Sequence, residues 1–145
     1  MSPTRKELIL WLSQIDINGD TLDIGGNIWS MKSKVKSFNG KYKTMNESDT
    51  DLNNVQTLGS FDNIFCLEVM QFVYNPCSVL SNLNNALKTE GKLFLSFHLT
   101  HSLMKSHDYL RYTEKGIRKL LEVTGFKVEE LIEPRNGYFL VRCSR

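Results

Sequence analysis

Cysteine is scarce: Cys66, Cys77 and Cys143 are the only three in 145 residues, and no pair stands at CxxC spacing. That argues against a disulfide framework and a thiolate zinc site. Two of the three fall in apolar runs, so buried free thiols in a reducing compartment are expected. No run of 18 apolar residues occurs, which excludes a membrane-spanning helix. The opening Met1-Ser2-Pro3-Thr4-Arg5-Lys6 lacks the apolar core and cleavage site of a secretory signal, so a cytoplasmic protein is expected. Excess charge is also missing: 18 Lys and Arg against 16 Asp and Glu leave +2, too little to imply a nucleic-acid partner. There is no Gly-x-Gly-x-x-Gly fingerprint, and no repeat, linker or low-complexity tract.

What remains is 41% hydrophobic, enough for one core, and 1–145 reads as a single domain. Thr4-x-x-Glu7 has the form of a capping box, followed by Leu8, Trp11, Leu12 and Ile15 on one helical face. Asn18-Gly19-Asp20 reads as the end of that helix. Thr21-Leu22-Asp23-Ile24-Gly25-Gly26 is a short strand entering a glycine turn. Residues 40–46 read as a second strand, and the polar remainder of 27–60 as loop. Phe61 to Leu67 is nearly continuous apolar sequence, as a parallel strand covered on both faces requires. Asn75-Pro76 is an N-cap followed by proline at the first helical position, with Val79, Leu80, Leu83, Ala86 and Leu87 in helical period up to Gly91. Lys92 to Leu99 reads as a strand. Thr113 can cap a further helix that ends at Gly125. Residues 127–132 and 138–142 flank Asn136-Gly137, a hairpin signal. Strands alternating with helices predict an α/β fold with a mostly parallel sheet, and the hairpin makes the last strand antiparallel.

Four segments resemble the class I S-adenosylmethionine-dependent methyltransferases, in particular the type 11-like group. They are the acidic strand and glycine turn at 21–26, Phe61 to Val69, Asn75 to Phe97 with its Leu87-Lys88-Thr89-Glu90-Gly91 turn, and Tyr112-Thr113 through Gly125-Phe126. The resemblance implies a three-layer Rossmann-like sandwich of strand order 3-2-1-4-5-7-6, with S-adenosylmethionine as cofactor. It implies cofactor contacts at Asp23, Gly25, Gly26, Asn46, Glu47, Leu67 and Glu68. Ligands of doubly wound sheets lie beyond the carboxyl ends of the strands, which is where these residues fall. Two alternatives stay open: Gly25-Gly26 as a plain tight turn, and Asn46 and Glu47 as solvated loop. Some relatives hold a divalent metal through Glu-x-x-Glu-His after the fourth strand. Here Glu68-Val69-Met70-Gln71-Phe72 keeps one ligand of three, so no metal is expected.

The chain departs from the family in its first half. Only residues 27–40 separate the glycine turn from the second strand, too few for the usual helix, so helices are expected to be reduced around strands one to three. Lys32, Lys34, Lys36, Lys41 and Lys43 would share one face of an extended segment. A phosphate-binding patch is the sharper reading, and a solvated edge guarded against aggregation is the favoured one. All three histidines fall at 98, 101 and 107. His98, His101 and Asp108 are candidate catalytic residues, since imidazole exchanges a proton near neutral pH. An Asp108–Arg111 ion pair that merely pins the loop is the structural alternative. The leading function is methyl transfer to an unidentified acceptor. The second is a catalytically degenerate module that binds or regulates a partner, and a nicotinamide oxidoreductase is disfavoured by the hairpin. The exposed sheet edges of so short a chain leave homo-oligomerisation open.

Overall fold

Side-chain alternation builds two unequal cores on one sheet. The structure is a computed structural model that describes residues 1–25, 30–46, 52–54, 57–103 and 108–145. In chain order the elements are α1 (Pro3–Leu12), β1 (Asp16–Asn18), β2 (Thr21–Ile24), β3 (Ser37–Asn39), β4 (Tyr42–Met45), β5 (Phe61–Cys66), α2 (Pro76–Ala86), β6 (Leu87–His98), α3 (Glu114–Val123), β7 (Lys127–Arg135) and β8 (Tyr138–Ser144). A 3₁₀ turn at Met70–Phe72 follows β5. Six strands form the main sheet in the order β4-β2-β5-β6-β8-β7. β4, β2, β5 and β6 run parallel, and β8 enters antiparallel between β6 and β7. This is the expected order 2-1-4-5-7-6; among the described residues no strand three lies beyond β4. No described helix is long and apolar enough to cross a membrane.

On one face Leu22, Ile24, Ile64, Cys66, Leu93, Leu95 and Phe97 meet Leu80 and Leu83 of α2 and Ile117 and Leu121 of α3. Those four helical side chains are fully buried, each contributing about 1.5–3 kcal/mol by leaving water. The opposite face buries Phe65, Leu67, Phe94, Tyr138 and Leu140 under Leu8, Trp11 and Leu12 of α1. The Trp11 indole N–H donates to Glu130 on β7 at 2.8 Å, fixing α1 across the sheet. Cys66 and Cys143 are buried free thiols, while Cys77 is exposed on α2.

Beside α1 the second face is covered by a two-stranded parallel sheet, β1 with β3, in the register Asp16↔Ser37, Ile17↔Phe38 and Asn18↔Asn39. β3 falls between the glycine turn and β4, a stretch in which no helix lies among the described residues. Ile17 supplies the small sheet's buried anchor. Gly19 and Gly40 back onto each other with φ of +105° and +135°. A side chain on Gly40 would run into the Gly19 carbonyl, so this turn admits only glycine.

Several local expectations are corrected. The cap of α1 is Ser2, whose hydroxyl accepts from Arg5 N at 3.3 Å, with Pro3 inside the first turn. Proline's fixed φ sets the start two residues ahead of Thr4. The helix stops at Leu12, so Ile15 packs from a loop and Asn18-Gly19-Asp20 leaves a strand rather than a helix. Asn75 precedes α2 without a side-chain cap. α2 ends at Ala86, because Leu87 turns extended and buries its side chain, and the strand that follows is bulged before Lys92. Lys32 and Lys34 lie in a turn rather than on a strand. Lys32 stacks over Phe38 and Tyr42 at 5.3 and 5.9 Å, which splits the lysine group. Thr113 does cap α3, accepting from Gly116 N at 3.0 Å.

Candidate active site at the carboxyl edge of the sheet

β2 alternates Leu22 and Ile24 toward α2 and α3, so Asp23 between them points to the other face, where it is 1% exposed. Its Oδ2 accepts from Met31 N at 2.9 Å and from the Tyr42 hydroxyl on β4. Its Oδ1 is buried and has no hydrogen-bond partner among the described residues. Burial raises the Asp23 pKa above the ordinary value, against the lowering effect of these two donors. Burial and the bond to Asp23 likewise push the Tyr42 phenol up.

Gly25 ends β2 with φ +84° and donates to Met45 O at 2.6 Å. The nearest neighbour of a side chain there would be Val69 at 3.6 Å, so the space is open while the conformation favours glycine. Asn46 follows β4 and is half-buried. Gly26 and Glu47 lie outside the described residues. Leu67 is buried in the cluster beneath α1, and Cys66 in the cluster on the other face. Burial lifts the Cys66 thiol to about 12, which makes it inert at neutral pH.

The next strand ends differently. Glu68 leaves β5 with φ +59°, a left-handed conformation uncommon outside glycine. Its backbone N–H donates to Ser96 Oγ at 2.7 Å, and its backbone carbonyl accepts from Gln71 Nε2 at 3.1 Å. The side chain swings toward β6 and β8. Oε2 lies 2.7 Å from His98 Nε2 and accepts from Ser96 Oγ at 3.2 Å, while Oε1 accepts from Tyr138 OH at 2.9 Å. Burial pushes the Glu68 carboxyl up, but the bond and charge of His98, with the two hydroxyls, outweigh it and hold the group below its ordinary value. Burial and the Glu68 charge drive the Tyr138 phenol far up, so it stays a donor. An ionised carboxylate only accepts, so His98 Nε2 carries the proton of this bond.

A cavity of about 510 Å³ opens here, lined by Arg5 from α1, Glu68, Gln71 and Phe72 after β5, and His98 and His101 after β6. The His98 ring is 3% exposed; it packs edge-on against His101 at 4.7 Å and tilted against Tyr138 at 4.9 Å. His101 Nδ1 lies 2.7 Å from Ser102 O. Asp108 forms a two-bond fork with Arg111, one arm at 2.8 Å. Arg111 also donates to the His101 and Ser102 carbonyls at 3.0 and 3.1 Å. The structure therefore gathers Glu68, His98 and His101 around one cavity, with Asp108 engaged by Arg111 in the neighbouring loop; Asp23 and Gly25 both stand at the end of β2, one strand from β5 and two from β6.

Sequence reasoning missed Ser96, Tyr138 and Arg5. The hairpin turn held the signal for Tyr138: it is the first residue of β8 after Asn136-Gly137, and antiparallel pairing sets it opposite His98.

No family model matches this sequence, and no curated protein matches it. Solved structures do. A methyltransferase dependent on S-adenosylmethionine from Mesorhizobium loti aligns over 99% of both chains with TM-score 0.69 at 12% identity. The magnesium protoporphyrin IX methyltransferase of Synechocystis PCC 6803, solved with S-adenosylhomocysteine, aligns over 98% of this chain and 82% of its own, with TM-score 0.64 at 16% identity. A 1,6-didemethyltoxoflavin-N1-methyltransferase from Burkholderia thailandensis, with its substrate and S-adenosylhomocysteine bound, aligns over 99% of this chain and 76% of its own, with TM-score 0.63 at 12% identity. At such identities the likeness shows the fold: a Rossmann-like sheet with an antiparallel closing hairpin.

Proposed function

We propose that this domain transfers a methyl group from S-adenosylmethionine to a small acceptor. The observation that carries the reading is the strand order. β8 lies antiparallel between β6 and β7, an ending shared with the methyltransferase structures and foreign to ordinary dinucleotide folds. Two features of the β2 end fit the amino-acid part of such a cofactor. Asp23 Oδ1 is a buried acceptor without a donor among the described residues, which an ammonium group would supply. Gly25 brings backbone without a side chain to the same edge. Asp23, Gly25 and Asn46 are the proposed contacts among the described residues, with Gly26 and Glu47 proposed on sequence alone.

When bound, the sulfonium supplies an electrophilic methyl group with a good leaving group attached. The protein's own task is then chiefly to orient the acceptor and exclude water. Calorimetric titration with S-adenosylmethionine, S-adenosylhomocysteine and NAD tests the reading. Micromolar binding of the first two and none of the third is expected. Silence from all three returns the chain to a catalytically degenerate module that binds or regulates a partner.

A further inference from the structure

We infer that Asp23, Tyr42, Ser30 and Met31 form an autoinhibitory clasp. It fastens the turn at residues 30–34 to the Asp23 carboxylate, and it must part before the ammonium group of an S-adenosyl ligand can reach that acid. This rests on the methyl-transfer reading and adds a control on its cofactor site.

The clasp follows from a mismatch at one side chain. Asp23 Oδ1 has no donor among the described residues, which suits a cationic ligand, yet the residue is 1% exposed and Oδ1 is buried. A buried acceptor meets an outside ammonium only if a neighbouring segment moves. Its neighbours in the main sheet are tied in by the parallel register Asp23↔Thr44 and Asp23↔Phe65. Among the described residues, the segment outside that sheet which bonds the carboxylate is the turn at 30–34. Met31 N donates to Asp23 Oδ2 at 2.9 Å and to the Tyr42 hydroxyl at 3.2 Å, and Ser30 Oγ donates to the same hydroxyl at 3.2 Å. The phenol donates in turn to Oδ2. Tyr42 thus joins strand, turn and carboxylate at one point.

The turn is built to shift as a body. Lys32 N donates to Ser30 Oγ at 3.2 Å and Lys34 N to Met31 O at 2.9 Å, so the turn is bonded within itself. Lys36 N on Ile15 O at 3.0 Å tethers its far end to the residue before β1. Met31 packs in the cluster beneath α1, and a thioether chain with three rotatable bonds keeps such contacts while its main chain moves. A ligand admitted only by the open form binds with an affinity reduced by the fraction open. Weakening the clasp therefore tightens binding. The opposite sign follows if Tyr42 and Met31 merely set the carboxylate for its ligand.

The test is calorimetric titration of the full chain with S-adenosylhomocysteine, with amide exchange followed in parallel. Tyr42→Phe removes the hydroxyl at the junction and should tighten binding about fivefold. Ser30→Ala loses a smaller link, leaves the bonds to Asp23 in place, and should tighten it about twofold; it carries the test if Tyr42→Phe fails to fold. In the unaltered chain the Met31 amide should exchange faster with ligand bound than without. Equal or weaker binding by Tyr42→Phe, or by Ser30→Ala where it stands in, overturns the clasp and leaves the methyl-transfer reading standing. So does a Met31 amide that fails to speed up with ligand. If neither the unaltered chain nor the variants bind S-adenosylhomocysteine, the methyl-transfer reading fails and takes the clasp with it.

Discussion

Asp23 and Glu68 are carboxylates at the ends of neighbouring parallel strands, yet the fold treats them in opposite ways. Asp23 is buried, held through one oxygen by Met31 and Tyr42 while the other has no partner among the described residues, and burial raises its pKa. Glu68 keeps 24% of its side chain exposed, is matched on both oxygens, and is held below its ordinary value by His98 and two hydroxyls together. Burial alone does not decide what an acid at this edge can do; the number and charge of its partners does. One acid closes a turn, and the other faces an open cavity.

The sharpest way to break this contrast is truncation. Asp23→Ala leaves the Met31 N–H and the Tyr42 hydroxyl without an acceptor in a dry site and should cost about 2–3 kcal/mol of unfolding free energy. Glu68→Ala should cost only about 1 kcal/mol, because His98 and Tyr138 can turn to cavity water. Denaturant melts of both variants check the order, and a larger loss at Glu68 would reverse the assignment.

Acid titration separates the two by sign. Asp23 has a folded pKa above the ordinary 3.8, so its ionisation opposes folding as pH rises past that value and the penalty disappears on acidification. Glu68 has a folded pKa below the ordinary 4.5, so its contribution is present above 4.5 and is lost as pH falls through the folded value. The melting-temperature gap between the unaltered chain and Asp23→Asn should therefore move in the parent's favour as the pH falls. The gap to Glu68→Gln should move against it. Parallel slopes would erase the distinction.

Smaller effects refine it. Tyr42→Phe removes one donor to Asp23 and should cost about 1 kcal/mol by thermal melting. Arg111→Lys keeps the charge but loses the fork on Asp108 and the reach to His101 and Ser102. It should leave global stability within about 0.5 kcal/mol while speeding amide exchange at Tyr112, whose N–H donates to the His98 carbonyl.

The second half of the chain was largely legible in the sequence, because its signals are long and redundant. Continuous apolar runs mark β5 and β6, helical periods mark α2 and α3, and Asn136-Gly137 marks the hairpin. β1 and β3 were not legible. Three residues each, Asp16-Ile17-Asn18 and Ser37-Phe38-Asn39 carry a single apolar side chain apiece, too little for alternation to register. Their pairing rests instead on the glycine contact between positions 19 and 40, which are distant in sequence. At the site, His98 was a candidate from its loop, and Glu68 from its strand end. Their partnership needs the β5–β6 register, and Tyr138 needs the β6–β8 register as well. The Asp108–Arg111 pair stood as the structural alternative to a catalytic Asp108, and the structure contains that pair.

The φ of +59° at Glu68 has a practical consequence for anyone altering this protein. Glycine or asparagine would occupy that backbone with less strain. A selection that rewards heat tolerance and nothing else will therefore be drawn toward those residues at position 68. Its winners would have traded away the anchor of the His98 ring, and they would look improved until asked to work.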